Sequence, residues 1–139
     1  MLSAFESDLT VTSGQRAVLN CRFNLNDRSI SVSSSVHQLI WIRQAAQADQ
    51  VDVLIAHNQD VLIADSRFIV QQTDIDYTLI ILDTNIDDEG VYACEINSQP
   101  VERAPIHLHI QGKVIYCDNE RSHHRNSRQV SPYVCRRRT

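Results

Sequence analysis

The sequence predicts an all-β fold, a sandwich of two β-sheets followed by a C-terminal extension. Three observations predict it. Apolar residues recur at every second position in a series of short runs, such as Ala17-Leu19-Cys21, Tyr92-Cys94-Ile96 and Ile106-Leu108-Ile110, the period of a strand with one face buried. The stretch Asp88-Glu89-Gly90-Val91-Tyr92-Ala93-Cys94 follows the pattern Asp-x-Gly-x-Tyr-x-Cys, and Cys21 and the single tryptophan, Trp41, precede it in that order. Finally, 139 residues with a 42% apolar fraction and only three glycines and three prolines can bury a core, and leave room for one domain of roughly 100–110 residues plus an appendage.

Taken in order, Asp8 to Ser13 alternate with Leu9 and Val11 on one face and read as an edge strand, which Gly14 ends in a turn. Ala17, Leu19 and Cys21 then share a face opposite Arg16, Val18 and Asn20. Asn24 to Val36, with its Asn, Asp, Arg and five serines, favours a long loop. Strand character returns at His37–Gln44, where Leu39 and Trp41 face inward and Gln38, Ile40 and Ile42 outward. Val51–Ala56 and Val61–Ile63 read as two short strands around a turn at Asn58-Gln59-Asp60. Arg67–Val70 and Tyr77–Leu82 follow, the latter with Leu79 and Ile81 inward. In the strand around the motif, Tyr92, Cys94 and Ile96 face the core and leave Val91, Ala93, Glu95 and Asn97 outside. Gly90 is expected to permit the tight entry into that strand. After Ser98-Gln99-Pro100 the last sandwich strand sets Ile106, Leu108 and Ile110 opposite His107 and His109.

Residues 1–111 make up this domain, and the character changes over 112–139. Two aromatic-aliphatic pieces, each ending in a cysteine (Cys117 and Cys135), flank a hydrophilic stretch. The simplest account is a covalently closed appendage, Cys117 to Cys135, worth roughly 3 kcal/mol for a loop of about 19 residues. From Lys113 onward seven basic residues stand against two acidic, a net of +5, whereas the body carries six basic and fifteen acidic, a net of −9. Such polarity suggests that the segments contact different partners or each other, although a solvated acidic domain with a basic tail explains it equally well.

Cys21, Trp41, Arg67, Leu79, Asp88, Gly90, Tyr92 and Cys94 together resemble the immunoglobulin superfamily over about residues 8–110. The resemblance implies a Greek-key sandwich of variable or I type, since Cys21 and Cys94 lie far enough apart to hold the extra strands C′ and C″. It implies a Cys21–Cys94 bridge between the sheets, with Trp41 packed over it. It also implies a Tyr92 hydroxyl bonded to backbone a few residues upstream, and an Arg67–Asp88 pair closing one end. Strand F and the tripeptide Trp41-Ile42-Arg43 are similar to the first domain of the Dpr/DIP and IgLON neuronal surface proteins. Small secreted one-immunoglobulin proteins that organise synapses or receptors are similar too. The former families bind another immunoglobulin domain through the outer face of their C, C′, F and G strands. Here strict alternation puts Gln38, Ile40, Ile42, Val53, Ile55, Ala93, Glu95, Asn97 and His107 on that face, with Leu54 inward. Its contiguous aliphatic patch marks an interface, unless the tail folds back and buries it.

There is no glycine-rich phosphate loop, no Gly-x-Ser-x-Gly and no His-Glu-x-x-His, so no enzyme or cofactor is expected. Cys117, His123, His124 and Cys135 have the wrong spacing for a zinc finger, and a disulfide is preferred. His107 and His109 could chelate a metal between them, but solvent-facing strand positions are the plainer reading. Four cysteines fit an oxidising compartment, and no apolar run approaches the 20 residues that would span a membrane. The expected location is secreted or extracellular, with a leader peptide already removed. Nucleic acid is not an expected partner. Arg121, Arg125, Arg128, Arg136, Arg137 and Arg138 are candidates for an anionic glycan such as heparan sulfate, against the alternative of a solvated basic loop. The expected function is protein recognition through the C-C′-F-G face, by a heterophilic partner or as a homodimer; a matrix or receptor-clustering scaffold using the tail is the alternative.

Overall fold

The computed structural model describes residues 2–4, 7–23, 37–97, 100–116 and 133–136. Among them are twelve strands: β1 (Leu2–Ala4), β2 (Asp8–Thr12), β3 (Ala17–Phe23), β4 (Leu39–Arg43), β5 (Val53–His57), β6 (Asp60–Val61), β7 (Phe68–Gln72), β8 (Asp76–Ile81), β9 (Gly90–Ile96), β10 (Glu102–Gln111), β11 (Lys113–Tyr116) and β12 (Tyr133–Arg136). One sheet has the order β1-β3-β8-β7 and the other β2-β10-β9-β4-β5-β6. They correspond to the A-B-E-D and A′-G-F-C-C′-C″ sheets of a variable-type sandwich.

Alternation fixes which residues lie between the sheets. Leu19, Leu79 and Ile81 from one sheet, and Leu39, Trp41, Tyr92, Ile106 and Leu108 from the other, are all at most 2% exposed and form one cluster. Burial of a Leu or Ile side chain is worth about 1.5–3 kcal/mol, so these positions dominate stability. The Trp41 ring stacks on Tyr77 at 5.9 Å between centroids. A disulfide joins Cys21 of β3 to Cys94 of β9, in the middle of each sheet, and Trp41 is the register partner of Cys94 on β4. Closing 73 residues of sequence separation removes unfolded-state entropy worth about 4 kcal/mol.

The amino-terminal strand is in two pieces. The expected edge strand is β2, which pairs with β10 in parallel, from His107↔Asp8 to Gln111↔Thr12. A three-residue piece that the sequence does not announce, β1, pairs antiparallel with β3 in the opposite sheet. The chain start therefore contributes to both sheets.

Beyond the sandwich, β11 and β12 form a separate parallel pair in which Ile115 is the partner of Cys135. Cys117, and with it the expected Cys117–Cys135 bridge, lies outside the described residues. So do Arg121, Arg125, Arg128, Arg137 and Arg138, the long loop over 24–36, and Ser98 and Gln99.

Candidate functional site

The end of the sandwich below the motif is the most polar part of the buried structure. Asn85 caps a single 3-10 turn, Ile86–Asp88: its side chain accepts from the Asp87 N–H at 2.9 Å, and its own N–H donates to the Asp88 carboxylate at 2.9 Å. Asp88 is 4% exposed and receives both terminal nitrogens of Arg67, at 2.8 and 2.9 Å. Arg67 is also held by Asp65 and by the Asp83 carbonyl at 3.1 Å. This paired guanidinium is pushed further above its ordinary pKa, first by Asp88 and then by Asp65, and in return Arg67 keeps the Asp65 carboxyl below its usual range. The Tyr92 hydroxyl donates to the Asp88 carbonyl at 2.6 Å, and burial pushes it up to about 12. Arg67, Asp88 and Tyr92 are thus brought together at this end of the sandwich.

Two further residues at this end escaped the sequence reading. Arg43 donates from one nitrogen to the carbonyls of Asp87 and Glu89, both at 2.7 Å, and its guanidinium lies 5.5 Å from the centre of the Tyr92 ring. It follows Trp41 by two residues, and that parity was the available signal. A Cβ placed on Gly90 would come within 3.2 Å of Arg43 Nε. Gly90 also has φ +159°, a conformation that side chains rarely adopt, so the glycine serves the entry into β9 as well as the approach of the guanidinium. Thr84 is 2% exposed, and its hydroxyl donates to the Gln15 carbonyl at 2.6 Å, tying the turn after β8 to the turn after β2. A lone threonine in a polar loop gives no such signal.

The outer face of the six-stranded sheet is built by the register. β9 places Ala93 beside Ile42 and Glu95 beside Ile40 on β4; β10 places Arg103 beside Glu95 and His107 beside Val91. One part of the expected face is corrected. The register between β4 and β5 shifts at Trp41/Ile42, so that Trp41 pairs with Ala56 but Ile42 with Leu54. Ile55 is the extra residue of a β-bulge, and a bulge sends two successive side chains to one side. Ile55 is consequently buried beside Ala56, at 2% exposure, whereas Leu54 stands outside at 45%. This reverses the alternation expected for Leu54 and Ile55. Val53 is 48% exposed but pairs with Arg43, on Trp41's parity, at the sheet's end.

Ile42 and Ala93 do lie on the outer face, yet they are 5% and 0% exposed and stand apart from the inter-sheet cluster. Arg103 spans this part of the sheet. It pairs with Glu95 at 2.9 Å and also reaches Asp52, just before β5, at 3.8 Å. Strands β9 and β4, which carry Ala93 and Ile42, lie between Arg103 and Asp52 in the sheet, so the side chain spans both strands. Arg103, absent from the expected set, is a strap over the middle of the face. All three charged side chains remain partly exposed, so the pairing itself is worth about 0–1 kcal/mol.

At one end of the face Gln38 organises a polar cluster. Its side-chain oxygen lies 2.6 Å from His57 Nε2 and accepts from Asn58 at 3.1 Å, while its N–H donates to the Asn97 side chain at 2.8 Å. Gln38 and Asn97 are therefore brought together as a rim. His107 sits at the far edge, beside Asp8 and His109. Further exposed aliphatics flank β5 and β6 in the chain: Val51, before β5, is 84% exposed and Leu62, after β6, is 52% exposed.

The immunoglobulin V-set domain family matches residues 5–111, most of the sandwich and well over half of the chain. The chain belongs to the immunoglobulin V-set family. No curated protein sequence matches it. Among solved structures, this V-set domain is similar to the Ig1 domain of mouse SynCAM 2, at 22% identity and a TM-score of 0.62 over 79% of this chain and 96% of that one. Dpr1 Ig1 bound to DIP-eta Ig1 is 27% identical, with a TM-score of 0.60 over 76% and 89% of the two chains. Dpr11 Ig1 bound to DIP-gamma is 28% identical, with a TM-score of 0.58 over 75% and 97%. No helix among the described residues is long and apolar enough to cross a membrane.

Proposed function

We propose that this V-set domain is an extracellular recognition module that binds another immunoglobulin domain through the outer face of β10-β9-β4-β5. The observation that carries the reading is the composition of that face. Leu54 is exposed next to buried Ile42, Ile40 is half-buried, and the Arg103 strap and Gln38–Asn97 rim frame them. An exposed aliphatic side chain beside a charged strap and a hydrogen-bonding rim offers the mixed apolar and polar contacts from which protein interfaces are built. The likeness to Dpr1 and Dpr11 Ig1 domains, solved bound to DIP immunoglobulin domains, supports an immunoglobulin-domain partner. A second copy of this chain is the homophilic form of the same reading.

Ile42 is too buried to test the interface by charge, because its substitution would also disturb the fold. Leu54 and Val18 make a matched pair: each is 45% exposed, Leu54 on this face and Val18 on the β3 strand of the opposite sheet. The measurement is light scattering across concentration, together with binding to a panel of immunoglobulin ectodomains. Leu54→Asp is expected to abolish association and Val18→Asp to leave it intact, with both variants folded. Association that survives Leu54→Asp, or is lost equally in both, places the interface elsewhere.

A further inference from the structure

The parallel pairing of β2 with β10 does something the sequence could only half suggest. His107 and His109 are two residues apart on β10, and so share a face. The register sets Asp8 directly opposite His107. Three side chains of metal-ligating type thereby gather at one edge of the sheet, outside the centre of the recognition face.

Their geometry is convergent. Two residues separated by one position on a strand stand about 6.6 Å apart along it, yet the imidazole centroids of His107 and His109 are only 4.0 Å apart, tilted by 34°. The rings lean together. His109 Nε2 lies 3.0 Å and His107 Nδ1 4.0 Å from the same Asp8 oxygen, and one ligand atom from each of the three residues lies within 4.8 Å of the others. Ligands about 2.0–2.1 Å from a tetrahedral ion are about 3.3–3.4 Å from one another. The observed distances bracket that value, and closing the widest requires only a rotation of an exposed side chain. The backbone beneath is fixed: the five-pair ladder is extended at one end by the His107 N–H donating to Ser7 at 2.8 Å, and at the other by the Ser13 N–H donating to Gln111 at 2.8 Å.

We propose that Asp8, His107 and His109 form a surface site for a divalent transition-metal ion. Two imidazoles and one carboxylate select the zinc, copper or nickel class, whereas calcium and magnesium require oxygen ligands. Three protein ligands leave one tetrahedral position to water or to a donor from another molecule. The competing account is an ordinary surface Asp8–His109 hydrogen bond with His107 beside it, which has no affinity for metal.

The experiment is titration calorimetry of the full chain with zinc chloride, with thermal melting to verify that every variant is folded. The chain also holds His123 and His124, so binding alone does not locate the site. His107→Ala and His109→Ala are each expected to weaken one zinc site by about tenfold or more, by loss of a direct ligand. Asp8→Asn is expected to weaken it in the same direction, His57→Ala to leave it unchanged, and magnesium in excess not to compete. Nickel added to an isotope-labelled sample should broaden the resonances of His107 and His109 before those of His57. The site is excluded if the wild-type chain takes up no zinc, if zinc binding is the same in His109→Ala, or if magnesium displaces it.

Discussion

Arg67 is a single side chain on which one whole end of the sandwich depends. Its two forked bonds to Asp88 serve a carboxylate that also receives the Asn85 N–H and sits at 4% exposure. A buried ion pair adds little over an apolar replacement of both partners, but removal of one partner leaves the other charge uncompensated, at a cost of about 3–5 kcal/mol. Arg67→Met is therefore expected to lower stability by about that amount in urea unfolding. Arg67→Lys should recover only part of it, because an ammonium cannot reproduce the planar fork. A loss below about 1 kcal/mol in Arg67→Met would show that Asp88 is satisfied without its partner. This pair was legible in the chain because both residues stand in recognisable motifs. The role of Arg43 was not, although its parity with Trp41 places it on the inner side: the two carbonyls that hold it are backbone acceptors, which carry no signature of their own.

Strands were legible where hydrophobic alternation was clean. β3, β8, β9 and β10 each bury the predicted side, because a one-residue slip would carry an entire apolar row into water. β5 failed for the opposite reason. Val51-Asp52-Val53-Leu54-Ile55-Ala56 is almost continuously apolar, so an extra residue leaves no trace in the pattern, and no glycine marks the bulge. The strand itself offers a direct test. With the bulge, Ile55→Asp places a carboxylate among core residues and is expected to cost more than about 3 kcal/mol or to prevent folding. Leu54→Asp, exposed, is expected to change stability by about 0.5 kcal/mol or less. Strict alternation predicts the reverse order, and thermal melting of the two variants decides between them. β1 was missed because three residues are too few to show any period. The Arg103 strap was missed because it depends on which strands lie side by side, and a sequence lists strands in chain order.

At the scale of the whole molecule, the two halves of the amino-terminal strand and the last sandwich strand determine how the domain meets its surroundings. β2 and β10 run in parallel, so the chain enters the ladder at Asp8 and leaves it at Gln111, at opposite ends of five paired residues. Tension applied along the chain would load these hydrogen bonds in shear, all together, whereas a load across Asp8 and His107, direct partners at one end, would peel them one after another. A module that holds two surfaces together is pulled in the first way. In single-molecule stretching, handles at Asp8 and Gln111 are thus expected to give a higher rupture force than handles at Asp8 and His107. Equal forces would mean that the ladder is not what bears the load. The direction in which one short strand runs would then decide whether the domain behaves, mechanically, as a rivet or as a zip.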